Sequence, residues 1–407
     1  MSRLLMVGCG WMGRPYLRRA HEAGLDVAVL DSAEALGWPE TRAALGPGDR
    51  GYAVNGSDDA AWISAASAAL RDGPIAGIVA FTEHHVIPAA LLADELGLPG
   101  PGLRAALTSR NKLVQRELFD RHGLAQPDYT FARTAVAAIE WAQNRYPVVA
   151  KPLSSSGSHD VRIVTDETDL RAWCAERAAN EPYLIEKCLT GPEYSAETIV
   201  DDGAVAFCSI TEKTVTPAPY CVELAHHVPA DLASSGSGAT VGRQIEQLVA
   251  GVIGALGMRS GIAHLEFKLE ASGPHVIEVA VRTPGDYILD VVEAATGVDL
   301  YAAVIAVACG RSPVVDIVRK DIACVWFPTV PEGVVTAVDG AEEVTRLDGV
   351  VNIEIDVGAG STVEALRSSM DRIGMIILRA QDRQELDTRL KTALAELRII
   401  VEPATGS

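Results

Sequence analysis

The chain has 407 residues, 48% of them hydrophobic and 22% charged, with a formal net charge of −19. That length carries two or three domains with sizeable cores, and that composition excludes an extensively disordered chain. So acidic a balance argues against a nucleic-acid partner, and no stretch approaches the ~20 apolar residues of a membrane span, so neither partner is expected.

The first elements alternate. RLLMV (3–7) reads as a strand, GCGWMG (8–13) as a tight turn, the run through His21 as a helix, and LDVAVLD (25–31) as a second strand. GIVAF (77–81) reads as a buried strand and PAALLADELG (88–97) as a helix. Strands and helices alternating at this length predict a doubly wound parallel sheet. Gly and Pro concentrate in LGLPGPGLRA (96–105), which predicts a domain boundary. Beyond it come a charged helix over 108–123, a strand YPVVAKP (146–152), a small-residue loop SSSGS (154–158) and a strand DVRIV (160–164). A helix over 170–178 and the strand YLIEKCL (183–189) follow, then antiparallel strands over 193–213 and 261–282. The composition shifts again after Gly310, and 311–407 reads as a small α+β unit ending in a charged helix, RQELDTRLKTALAEL (383–397).

The seven cysteines are scattered and form no Cys-x-x-Cys pair, so neither a disulfide framework nor a structural zinc site is expected. Glycines interrupt the apolar start of the chain before it could serve as a signal segment, and a cytoplasmic protein is expected.

Gly8-Cys9-Gly10-Trp11-Met12-Gly13 fits G-x-G-x-x-G between a strand and a helix, with Asp31 ending the next strand. Alone, that pattern favours a dinucleotide cofactor and an NAD(P)-dependent oxidoreductase. Any open α/β sheet also needs glycines where its first strand turns into a helix.

The hairpin GIAHLEFKLEASGPHVIEVAVR (261–282) carries a stronger signal. With a period of two, Ala263, Leu265, Phe267 and Leu269 share one face, as do Ile277, Val279 and Val281 on the returning strand. The opposite faces carry His264, Glu266 and Lys268, then Glu278 and Arg282. A three-residue turn, Ala271-Ser272-Gly273, places Glu266 across from Glu278. Facing carboxylates repel unless a cation lies between them, and Mg²⁺ is the natural ion for one or two carboxylates plus substrate phosphates. A solvated polar face balanced by Lys268 and Arg282 is the alternative.

The order of these pieces resembles the ATP-grasp ligases, in particular those joining amino acids or other carboxylates to amines. The resemblance covers nearly the whole chain and implies an α/β and α+β architecture in three parts. These are a Rossmann-like pre-ATP-grasp domain (1–105), an ATP-grasp domain (106–310, its lid about 128–190) and a C-terminal α+β domain of biotin-carboxylase type (311–407). It implies ATP and Mg²⁺, with Mn²⁺ permitted, as cofactors. Lys112 and Lys151, two of only seven lysines, would reach the nucleotide phosphates under the loop that includes Ser156, Gly157 and Ser158. Glu186 would sit at the hinge near the adenine, with Lys187 and Cys188 offering backbone contacts, and Glu193 would hold the ribose hydroxyls. Glu197, on the same strand face, is expected to help line the site. Glu266 and Glu278 match the metal ligands, and Arg282 the arginine that steadies an acyl phosphate. Ala280 departs from the pattern, which has an asparagine ligand there.

The expected activity is ligation of a carboxylate to an amine through an acyl phosphate, releasing ADP and phosphate, with small-molecule substrates and a homodimer left open. Substrate contacts are expected from Glu83 at a strand end, from Glu223 and His226 in a loop with Tyr220 and His227, and from Asp286, which could equally cap a helix. A biotin-carboxylase-like or carrier-loading enzyme, the NAD(P) oxidoreductase and a non-catalytic ATP-binding module remain as alternatives.

Overall fold

The computed structural model describes residues 2–154, 160–177, 181–232 and 238–403. Ser156, Gly157 and Ser158, expected to contact phosphate, lie outside the described residues.

Strands Arg3–Val7, Asp26–Asp31, Arg50–Ala53 and Ile75–Ala80 form an all-parallel sheet in the order 50–53, 26–31, 3–7, 75–80. Leu4, Leu5, Met6 and Val7 are each fully buried, because helices cover both faces of this central strand. Burial on both faces is why the sequence shows an unbroken apolar run instead of alternation.

Strands Tyr129–Ala132, Val148–Pro152, Arg162–Val164 and Tyr183–Lys187 make a separate antiparallel sheet over which helices Ala135–Ala142 and Glu167–Ala175 pack. Between it and the parallel sheet lies an eight-stranded antiparallel sheet. Its order is 273–280, 261–270, 193–201, 204–215, 223–228, 322–326, 374–380, 350–355. Helix Gly238–Leu256 covers one face, with Val241, Ile245, Leu248, Val249, Val252 and Leu256 recurring at helical spacing into a core that includes Leu265, Phe267 and Val279. The apolar helices Ile288–Thr296 and Leu300–Ala308 fill the space between this sheet and the parallel one.

The eight-stranded sheet crosses the boundary expected near Gly310. Strand Ile322–Trp326 pairs with Glu223–Val228 on one side and Gly374–Ala380 on the other. Its Ala323 and Val325 enter one core and its Cys324 another, so both faces need cover that the C-terminal unit alone does not supply. The charged helix forms as expected over Arg383–Glu396, and a strand not foreseen, Arg398–Glu402, follows it and pairs with Gly333–Asp339. Among the described residues no single helix is long and apolar enough to cross a membrane.

Candidate active site

The hairpin pairs Glu266 directly with Glu278, as expected, but by a different route. The turn is shorter, with Glu270 opposite Gly273, and Gly273 takes a φ of 118° that favours glycine. A bulge at Ile277 then restores the register, since Glu266 faces Glu278 while Phe267 faces Val276. The bulge also turns Ile277 out of the core row expected for it. Val276 and Val279 are buried in the core, and Ile277 lines a cavity.

That cavity, ≈ 460 Å³, lies between the small antiparallel sheet, the large sheet and the Gly-rich turn. It brings together Glu83, Lys112, Lys151, Glu186, Lys187, Cys188, Glu193, Glu223, His226, Glu266, Glu278, Arg282 and Asp286, whereas Glu197, Tyr220 and His227, also expected at the site, do not line it. Its size suits a nucleotide with small substrates. Five of the seven lysines (Lys112, Lys151, Lys187, Lys213 and Lys268) line it, so the chain concentrates its scarce ammonium groups on one spot. Pro127, Val149, Ile163, Leu189 and Ile277 supply apolar walls beside the hinge strand. A larger cleft of ≈ 820 Å³ separates residues 160–177 from the C-terminal region; it holds Tyr220 and none of the candidate carboxylates.

Local structure explains the phosphate-side lysines. The Asn111 side chain accepts from the Val114 N–H and starts helix Lys112–Arg121, placing Lys112 in the first turn and Arg116 one turn later on the same face. An ammonium at a helix N-terminus opposes the helix dipole, and here Glu278 compensates it at 2.9 Å. Arg116, which the sequence reading passed over, is fully buried and holds both oxygens of Glu186, at 2.7 and 3.2 Å, and the Ile277 carbonyl at 2.6 Å. Lys151 reaches the same carboxylate at 2.7 Å.

Glu186 therefore has two cations, and they hold its carboxyl low although burial alone would raise it. Among the described residues, Lys151 shares the Glu186 carboxylate with Arg116. Burial, with Arg116 and Lys112 nearby, drives its ammonium below the ordinary lysine range despite Glu186.

Lys213 is the second residue passed over. It comes from the 204–215 strand, is buried, and gathers Glu266 at 2.7 Å, Glu193 at 3.1 Å and Glu223 at 3.4 Å. Burial would lower its ammonium, but the three carboxylates raise it well above the usual range. His264 stands opposite Ala280 in the hairpin and bridges Glu197 (2.9 Å) and Glu266 (3.2 Å); despite burial those bonds push it up to about 9. Glu197 is fully buried beneath His264 and bonds Thr211, so it supports the wall instead of lining it.

The expected substrate residues are also paired. Glu83 is gripped by Arg282 and Arg110, each at 2.7 Å, which aligns the arginine. Asp286 does not cap the following helix, whose N-cap position is Tyr287. It binds His226 at 2.9 Å and Arg372 at 2.7 Å, and Glu223 binds Arg372 at 2.9 Å. Asp286 and Tyr287 both have left-handed φ values, 59° and 57°, an arrangement costly for non-glycine residues and concentrated at functional sites. His227 is buried behind the strand, and burial pushes its imidazole down to about 3.

The Gly-rich turn serves itself. Cys9 and Gly10 donate their backbone N–H groups to Asp31, at 2.7 and 3.0 Å, so the acid a dinucleotide ribose would need is spent on the turn. A Cβ on Gly8 would stand 2.1 Å from the His85 ring, which accounts for that glycine by packing.

Three family models match in succession: the ATP-grasp N-terminal domain over 17–100, the ATP-grasp domain over 144–290, and the L-amino acid ligase C-terminal domain 2 over 326–402. The chain belongs to the ATP-grasp superfamily, and its C-terminal part is of the kind found in L-amino acid ligases. An L-arginine-specific L-amino acid ligase of Bacillus subtilis is 26% identical over 312 residues, 74% of this chain and 74% of that one. The crystal structure of an L-amino acid ligase from Bacillus licheniformis has the same fold, with a TM-score of 0.82, 22% identity and 99% of each chain covered. Phosphoribosylglycinamide synthetase from Anaerococcus prevotii has it too, with a TM-score of 0.76, 17% identity, and 98% of this chain and 100% of that one covered.

Proposed function

We propose that this chain joins an amino acid or small acid to an amine, activating the carboxylate with ATP and releasing ADP and phosphate. It is a carbon–nitrogen ligase of the ATP-grasp class. The observation that carries the residue assignment is the cross-strand pairing of Glu266 with Glu278 in the cavity that also holds Lys112, Lys151 and Arg282.

The donor set fits Mg²⁺. Both carboxylates face the cavity and offer hard oxygen donors, and among the described residues no group of three His, Cys, Asp or Glu forms a self-sufficient metal site. An ion held by two carboxylates and completed by phosphate oxygens matches that pattern. Glu266 and Glu278 would hold it, and it would supply positive charge to the transferring phosphoryl group.

The chain's own groups do the rest. The purine lies among Pro127, Val149, Ile163, Leu189 and Ile277, beside the backbone of Lys187 and Cys188, and Glu193 takes the ribose hydroxyls. Lys112 and Lys151 hold the phosphates, whose negative charge offsets the burial that disfavours the Lys151 ammonium. A substrate carboxylate oxygen attacks the γ-phosphorus, the bond to the β-phosphate oxygen breaks, and ADP leaves. The amine nitrogen then attacks the acyl carbon. Arg282, kept straight by Glu83, faces the oxyanion that develops, and phosphate departs as the amide forms. Glu223, His226 and Asp286 receive the substrates at the far end.

A phosphate-release screen over paired amino acids and small acids, with product masses, tests this. ADP, phosphate and an amide are expected together. AMP as the nucleotide product, or no release with any pair, contradicts it.

A further inference from the structure

One segment of the C-terminal region reaches the cavity without a part in the chemistry above. Residues 368–372 form a short turn closed by a capping box, in which Asp371 accepts from the Ser368 N–H at 2.7 Å. Two struts pin the turn to the cavity wall. Ser369 donates to Glu223 at 2.9 Å, and Arg372 holds Glu223 and Asp286 while its guanidinium lies 3.8 Å over the Phe327 ring. At the apex, between the struts, Met370 is 89% exposed and lines the cavity. Trp11, from the Gly-rich turn, lines the same cavity at 54% exposure. The buried apolar side chains Phe81 and Ile288 line the same cavity.

A turn this firmly tied would not need to hold a large thioether in water for the fold's sake. Two exposed apolar side chains from opposite ends of the sequence, on the rim of a charged cavity, suit an apolar group that arrives with a substrate. The purine has its own apolar walls on other elements, so this rim is left for a reactant.

Building on the ligase reading, we propose that Met370 and Trp11 clamp the side chain of a bulky apolar amino acid, and that Arg372 is the positioning residue that holds the Met370 turn in place. The enzyme thus selects its amino acid partly through its C-terminal domain.

The test uses the full-length chain and phosphate release, comparing kcat/KM for leucine, methionine and phenylalanine with that for glycine and aspartate. Wild type favours the apolar set. Met370→Asp, on a mostly exposed side chain, lowers the ratio of apolar to small substrates about ten-fold or more, an effect of the size one lost apolar contact supplies, carried mainly in KM. Trp11→Ala shifts the ratio the same way. Arg372→Met lowers it and Arg372→Lys restores part of it, whereas a merely structural loss would reduce all substrates alike. Turnover in wild type without preference for apolar amino acids, or an equal loss for every substrate in Met370→Asp, overturns the clamp and leaves the ligase reading standing. No turnover with any pair removes both.

Discussion

Lys151 and Arg116 share one carboxylate, and replacing each by methionine separates a ligand-binding charge from a structural one. Removing Lys151 leaves Glu186 in the grip of Arg116 at 2.7 and 3.2 Å, so no buried charge is orphaned. It also removes an ammonium that burial already disfavours. The expected stability change is small, within about 1 kcal/mol of zero. Removing Arg116 leaves Glu186 with Lys151 alone and frees the Ile277 carbonyl, which breaks a buried network at a cost of ~3–5 kcal/mol. At ~2–4 °C per kcal/mol for a domain of this size, scanning calorimetry should show a melting temperature ~6–20 °C lower for Arg116→Met and nearly unchanged for Lys151→Met. Phosphate release should behave the other way, falling at least ~100-fold in Lys151→Met, as when a group that stabilises developing charge is removed. If Lys151→Met melts as low as Arg116→Met and still turns over ATP, the lysine is a strut and the phosphate assignment fails.

Three further outcomes follow from the same geometry. Glu278→Gln should reduce phosphate release by ~100-fold or more at any Mg²⁺ concentration and lower the melting temperature by ~2–4 °C per kcal/mol lost, since it takes from the buried Lys112 ammonium the carboxylate that compensates it; turnover at a tenth of wild type would reject the carboxylate pair. Asp31→Asn should weaken the two bonds closing the Gly-rich turn by ~1–2 kcal/mol in all, and neither it nor wild type should change NADH fluorescence; saturable NADH binding would restore the dinucleotide reading. Stability should peak near pH 6.5. Burial lowers His85 to about 4 and His227 to about 3, so each favours folding above its ordinary ~6.5 and loses about 2 kcal/mol as pH falls to 5. His264, raised to about 9, contributes fully below ~6.5 and loses that as pH rises through 9; a melting temperature that is flat from pH 5 to 6.5 would contradict these buried neutral imidazoles.

What the sequence made legible was local. The 3–7 strand, the Gly-rich turn and the alternating face of 261–270 are periodicities within a few residues, and each forms where expected. The pairing of Glu266 with Glu278 was legible because a hairpin is also local, although a shorter turn and a bulge reach that register together. Arg116 could have been found from its four-residue spacing to Lys112 on a capped helix. Lys213 offered no such signal; what distinguishes it is the company of Glu193, Glu223 and Glu266, which other strands supply.

The sequence alone thus determined the order of most elements, the parallel character of the first sheet, the antiparallel pairing of the 261–282 hairpin, and a set of candidate residues that line one cavity, because propensity, side-chain period and spacing act along the chain. Only the tertiary structure decided that strand 322–326 joins the sheet of the site, that Asp31 closes its own turn, and that Arg372 meets Asp286 across 86 residues. Those outcomes depend on which buried charge finds which partner and which apolar face finds cover. Such partners are chosen by packing in space, where separation along the chain carries no information about contact.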